Sequence, residues 1–112
     1  MTKPYYHDYV RHMWRYYCTH HDINLSERIH PVDLNNWFAC NRVYQVMSKA
    51  DRDVIQVYST CPSGTENNVM DQYGKQNNYR SGDVWSIIRK TFKKTAVERG
   101  LCADIADQKT EA

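Results

Sequence analysis

The chain has 112 residues, which is enough for one domain that buries a modest core without a metal or a disulfide as an obligatory staple. Charged residues make up 25% of it, the formal net charge is +2, and the apolar content is near the globular average, which excludes a disordered chain. No run of about twenty apolar residues occurs, and the first residues lack the apolar stretch of a secretion signal, so we expect neither a membrane span nor export.

The first predicted helix runs from Pro4 to about Thr19, where apolar and aromatic residues recur at the three- and four-residue intervals of one helix face. Aromatic side chains in this region cover more than one stripe, so they cannot all face one small core. Tyrosine and tryptophan are enriched in interface cores, so some of these rings either pack between helices or form a surface for a protein partner or a second copy in a homodimer. The residues of this predicted interface are Tyr5, Tyr6, Tyr9, Trp14 and Tyr16.

Residues 19–30 are mostly polar with isolated apolar anchors at Ile23, Leu25 and Ile29, which indicates a loop. A second helix is predicted from Pro31, since proline suits the first helical position, to about Met47. The side chains at helical spacing along it are Leu34, Trp37, Phe38, Asn41, Tyr44 and Met47.

A third helix is predicted to begin after Ser48, because Ser48 to Asp51 resembles a capping box with aspartate in place of glutamate. Its apolar stripe is expected to hold Ala50, Val54, Val57 and Tyr58. The turn sequence from Cys61 to Gly64 ends this helix, and Thr65 is expected to cap a short fourth helix.

The segment from Gly74 to Gly82 is rich in asparagine and glutamine and is the least regular part of the chain. Ser81 is expected to cap a fifth helix from about Gly82 to Arg99, which Gly100 ends. We therefore expect an all-α protein, a compact bundle of about five helices in residues 1–102 followed by a frayed polar tail in residues 103–112.

The fifth predicted helix divides into an apolar and a basic side when it is projected at about 100° per residue. The apolar side holds Val84, Trp85, Ile88, Phe92 and Ala96, and the opposite side holds Ser86, Arg89, Lys90, Lys93 and Lys94. Residues 80–99 contain six basic and two acidic side chains, so the rest of the chain is slightly acidic. Such a basic face is either an ordinary solvated surface or a contact surface for phosphates.

Residues 70–88 fit the pattern of a helix-turn-helix unit that spans about residues 66–100. Tyr73 occupies the motif position of the apolar residue that anchors the first helix, and Gly74 the position of the small residue that lets the two helices approach. Asn78 occupies the turn position that requires a left-handed backbone, and Tyr79 the apolar position that follows the turn. The inward positions of the second helix are Val84 and Ile87, and the side chains placed outward or near its start are Arg80, Ser81, Gly82, Asp83, Ser86, Arg89 and Lys90.

Residues 48–101, with the third helix, the two-helix unit and the ending from Lys93 to Leu101, resemble the region-four domain of bacterial sigma factors and related small phage regulators. The resemblance implies promoter or operator DNA as the ligand, with the fifth helix in the major groove. We therefore expect a cytoplasmic regulatory protein that contacts double-stranded DNA through Arg80, Ser81, Ser86, Arg89, Lys90, Lys93 and Lys94. The alternatives are a helical bundle whose last helix is merely basic, and a small phage-type inhibitor or adaptor that binds a host protein.

No motif in the sequence predicts catalysis. Glycine occurs only at positions 64, 74, 82 and 100, so there is no phosphate-cradling glycine loop. The tight group Cys18-Thr19-His20-His21 has no matching second pair of metal ligands. The four cysteines lie at wide intervals, which favours reduced thiols, although their even number leaves a disulfide framework open. We expect no enzyme, no cofactor and no metal.

Overall fold

The computed structural model describes residues 4–20, 28–80 and 82–102, and the regular secondary structure of these residues is entirely helical. The five helices are α1 (His7–Thr19), α2 (Pro31–Gln45), α3 (Lys49–Thr60), α4 (Glu66–Gln76) and α5 (Asp83–Arg99). The prediction of an all-α bundle of about five helices is confirmed. No helix in the described ranges is both long and apolar enough to cross a membrane. The predicted anchors Ile23 and Leu25, the predicted cap Ser81 and the polar tail lie outside the described residues.

Local signals in the sequence set several helix ends. As predicted, α2 begins at Pro31, and the Ser48 hydroxyl at the start of α3 accepts a hydrogen bond from the backbone N–H of Asp51 at 3.2 Å. Thr65 stands at the N-cap position of α4, but its hydroxyl donates to the Pro62 carbonyl at 2.6 Å instead of accepting from the helix. The predicted side-chain cap at Thr65 is therefore wrong, because the side chain is directed toward the preceding turn and away from the first backbone N–H groups of α4.

Helix α5 lies between two glycines in left-handed conformation, Gly82 at φ 91° and Gly100 at φ 80°. Gly82 occupies the N-cap position itself, and the Asp83 carboxylate accepts from the backbone N–H of Arg80 at 3.3 Å. Gly100 ends the helix as predicted. The side chain of Asp83, in the first turn of α5, thus folds back onto the turn that precedes the helix.

The core lies where α1, α2, α3 and α5 meet, and α5 contacts each of the other four helices. Trp14 of α1 lies at the centre of this core and is 0% exposed. The indole N–H of Trp14 donates to the Thr95 hydroxyl at 2.9 Å, and that hydroxyl donates to the Thr91 carbonyl at 2.7 Å. The polar groups of this buried contact are therefore all paired, which makes their burial tolerable. The hydroxyl of Tyr5, which precedes α1, donates to the carbonyl of Leu101 just after the end of α5, at 2.6 Å.

The buried face of α2 differs in part from the predicted one. Phe38 is exposed, with its ring edge-on to Trp37, although its spacing predicts an inward position. Asn36 is buried because its side chain bonds to the Tyr9 hydroxyl at 3.0 Å and to the Arg99 guanidinium at 2.6 Å. Helix α2 packs against both α1 and α5, so its buried stripe also includes small residues that apolar periodicity does not mark. The buried residues of α2 are Asn36, Trp37, Ala39, Cys40 and Val43.

Candidate nucleic-acid interface

The turn between α4 and α5 has the local features that the sequence predicts. Asn78 adopts φ 63°, the left-handed conformation, and the next residue, Tyr79, donates its N–H to the Gly74 carbonyl at 2.9 Å. Gly74 is buried, and a Cβ atom on it would lie 3.4 Å from Cγ2 of Val84, so α5 passes α4 at close range. These local predictions are confirmed. The assignment of α4 and α5 as a DNA-binding helix-turn-helix unit stays a prediction.

An ion cluster ties α4 to α1. Glu66, the first residue of α4, accepts hydrogen bonds from Arg11 at 2.7 Å and from Arg15 at 3.4 Å, and its other carboxylate oxygen accepts from the Gly64 N–H at 2.8 Å. Its own backbone N–H, the Gly64 N–H and the two guanidinium groups lower the pKa of Glu66 against the opposing effect of desolvation. Because α4 buries only Met70 and Gly74 of its own residues, this cluster is an important part of its attachment.

Four basic side chains of α5 form one continuous surface, which we call the basic ridge: Arg89, Lys90, Lys93 and Lys94. Arg89, Lys90 and Lys94 are exposed and Lys93 is half-buried. Across the described ranges, none of the four forms an ion pair with a carboxylate. The opposite face of the helix is fixed in the core by Ile88, Phe92 and Ala96. The ridge is therefore a set of available positive charges on a helix whose other face is buried in the core.

The other predicted contact residues lie nearer the start of α5. Arg80 is exposed beside the turn and Ser86 is half-buried on the outer side of the helix, whereas Ser81 lies outside the described residues. The first residue of the helix is the acidic Asp83, and Lys90 lies seven residues further, about 10 Å along the axis. Positive charge is thus concentrated in the middle of α5. This placement favours phosphate contacts over base contacts made from the helix start.

A groove between α2 and α5 borders one side of the ridge, and we call it the Val46 groove. Its volume is about 410 Å³, and Val46 at its edge is 79% exposed. Arg42 of α2 pairs there with Glu98 of α5. The lining residues are Arg42, Val43, Val46, Lys93, Lys94, Val97 and Glu98. No local sequence pattern indicates Arg42 and Val46 as part of this surface, because only the packing of α2 on α5 brings them to the ridge.

A second groove, the Tyr6 groove, separates the ridge from the start of α1. Its volume is about 260 Å³, and its surface is mostly apolar. The His7 ring packs against Phe92, with 5.0 Å between ring centroids, and burial is the main cause that raises the pKa of Tyr6. The lining residues are Pro4, Tyr6, His7, Arg89, Lys90, Phe92 and Lys93. An apolar floor therefore lies directly beside three of the four basic side chains.

The structure divides the predicted aromatic interface. Trp14 is wrong as an interface residue, because its ring fills the centre of the core, where aromatic area is buried most completely. Tyr6 and Tyr16 are half-buried, with Tyr6 in the groove named after it. Tyr5, at 80% exposure, and the less exposed Tyr9 present their rings to solvent. What remains of this interface is a small aromatic surface near the start of α1.

The cysteines have no feature of a reactive site. All four are free thiols, and Cys18, Cys40 and Cys61 are buried while Cys102 is half-buried. Burial raises the pKa of the Cys18 thiol to about 11 and raises that of Cys40 further, so both are protonated at neutral pH and poor nucleophiles. In the part of the chain that the structure describes, no three histidine, cysteine or acidic side chains are placed to hold a metal ion.

The structure thus brings together Arg89, Lys90, Lys93 and Lys94 and sets Arg80 apart at the turn. Fixed cationic groups of this kind can hold the phosphates of a nucleic acid or the carboxylates of a protein. No protein-family model, curated protein or solved structure matches the chain.

Proposed function

We propose that this chain is a regulatory protein that binds double-stranded DNA through the basic ridge of α5. The observation that carries the proposal is the set of four basic side chains without carboxylate partners in the described ranges, on a helix whose other face is buried. Neutralising phosphates with such groups releases condensed counterions, which drives binding without any base contact. The left-handed turn at Asn78 and the exposed Arg80 after it support the helix-turn-helix hypothesis drawn from the sequence.

The expected strength of the electrostatic contribution follows from the number of ridge residues. If each of the four contacts one phosphate, the slope of log K against log salt concentration is about −3.6. Lys90 and Lys94 are one helical turn apart, about 6 Å along the axis, and both are exposed, so removing their charges costs the fold little. The Lys90→Ala and Lys94→Ala double variant is then expected to bind more weakly, with a slope of about −1.8.

The test is fluorescence anisotropy of a labelled mixed-sequence duplex over a salt series. The matched control is Arg28→Ala with Lys49→Ala, which removes the same charge from exposed positions. Arg28 precedes α2, which is about 22 Å long and ends beside Val46 and the ridge, and Lys49 already pairs with Asp53 at 3.2 Å. We expect the control to keep the original slope. If both variants bound DNA equally more weakly than the wild type, the loss would depend on total charge alone, and the assignment of DNA binding to the ridge would be wrong.

A second candidate function, binding of a host protein as an inhibitor or adaptor, is favoured by one observation. Val46 exposes 79% of its surface next to Lys93 and Lys94, a combination of apolar and basic groups suited to an acidic amphipathic segment. Absence of duplex binding at low salt would move the assignment to this function. Affinity purification with wild-type protein and with Val46→Asp should then give one partner that is retained by the first and lost by the second.

A further inference from the structure

We propose that the Tyr6 groove is a subsite for one unpaired nucleobase, so that the favoured ligand is a duplex with an unpaired nucleotide and not a fully paired one. The proposal rests on the proposed function, because the same basic ridge supplies the phosphate contacts. Phosphate binding alone does not distinguish a duplex with an unpaired nucleotide from a fully paired one.

The two sides of the groove differ in chemistry, since one is basic and the other is aromatic. Arg89, Lys90 and Lys93 line it on the α5 side, and among the described residues no acidic side chain lines it, which favours a negatively charged occupant. Tyr6 and His7 contribute aromatic side chains to the other side. Nucleotides join an anionic phosphate to a flat ring that stacks on aromatic side chains, which is how proteins bind single strands without reading their sequence.

The size of the groove is enough for one nucleobase. Its volume of about 260 Å³ lies below the usual range of roughly 300–1,000 Å³ for sites that hold drug-sized molecules. A paired base cannot enter, because both of its faces are stacked within the duplex and it must leave the stack first. An overhang, a bulge or a mismatch presents such a base at little cost, whereas a fully paired duplex can use only the ridge.

The experiment compares three labelled duplexes by anisotropy with the full chain: one blunt, one with a three-nucleotide overhang, and one with the same overhang made abasic. The two overhangs carry equal phosphate charge, so any difference in affinity comes from the bases. We expect the base-bearing overhang to bind about tenfold more tightly than the abasic one, as for one stacked base. Tyr6→Leu should remove most of this ratio, while Tyr6→Phe should keep it.

A matched control is Phe38→Leu, which removes an exposed ring of α2 outside the groove and should leave the ratio unchanged. Far-UV circular dichroism and a thermal melt of each variant separate loss of the subsite from loss of the fold. Equal affinity for the two overhangs would overturn the subsite, and it is also the result expected of a groove made for an acidic peptide. Failure of all three duplexes to bind would instead overturn the proposed DNA-binding function.

Discussion

Replacing Thr95 by valine tests the hydrogen bond at the centre of the core. The Thr95 hydroxyl accepts from the Trp14 indole 2.9 Å away, and both side chains are 0% exposed. Valine has the β-branched shape of threonine, so the substitution leaves no cavity and changes mainly the hydrogen bonding. The indole N–H is then left without an acceptor in a site that water does not reach.

The cost follows from leaving a buried donor unsatisfied, which is about 1–3 kcal/mol of unfolding free energy. In a domain of this size, each kcal/mol corresponds to a drop of about 4 °C in Tm. Thr95→Ser keeps the hydroxyl and loses one methyl group, so its cost of about 1 kcal/mol measures packing alone. We expect Thr95→Val to be the less stable of the two variants.

The assay is thermal and urea unfolding followed by far-UV circular dichroism, completed by a double-mutant cycle with Trp14→Phe. Phenylalanine removes the donor, so Thr95→Val should cost little in the Trp14→Phe background. A Thr95→Val protein as stable as the wild type would refute the reasoning, and so would an equal cost of that substitution in both backgrounds.

Three further predictions concern the ion cluster, the buried thiols and the turn. Glu66→Gln should lower the unfolding free energy by about 1–3 kcal/mol at pH 7, because the charged acceptor of Arg11 and Arg15 is lost. The pKa of Glu66 is lowered in the folded state, so the stability that its carboxylate contributes is present above the unfolded-state pKa and is lost as pH falls through the folded-state pKa. Urea unfolding at acidic pH should therefore show a smaller stability difference between the variant and the wild type. Burial raises the pKa of the Cys18 thiol to about 11, so the stability that the protonated thiol contributes is complete below its unfolded-state pKa of about 8.5 and declines as pH rises above that value. In urea titrations at a series of pH values, Cys18→Ala should make this decline in unfolding free energy less steep. Asn78→Val should lower stability by about 1–2 kcal/mol in thermal melts, since the side chain is exposed but φ is 63°, and Asn78→Gly should not.

Features that depend on neighbouring residues were predictable from the sequence. Ser48 caps α3 and Asn78 takes the left-handed conformation because both effects are decided within a few residues. The basic residues of the ridge could likewise be assigned to one outward surface, since the helical repeat alone sets that relation.

Features that depend on tertiary packing were not predictable. Trp14 was assigned to an interface because a helical stripe does not show how many helices will cover it, and α1 is covered by α2, α3 and α5. Val46 joins Lys93 in one groove only because α2 packs against α5. One local feature was also missed: the predicted Thr65 cap was wrong because its hydroxyl is directed toward the Pro62 carbonyl of the preceding turn.

The contact between Trp14 and Thr95 joins residues 81 positions apart, and the helix that supplies Thr95 is the last of the five. During synthesis the first three helices therefore emerge with the indole of Trp14 still without its partner. The core closes only when α5 has left the ribosome, and the same helix carries Lys90 and Lys94. A nascent chain consequently gains its native packing and its positive surface in one event, so that a prematurely ended product has neither.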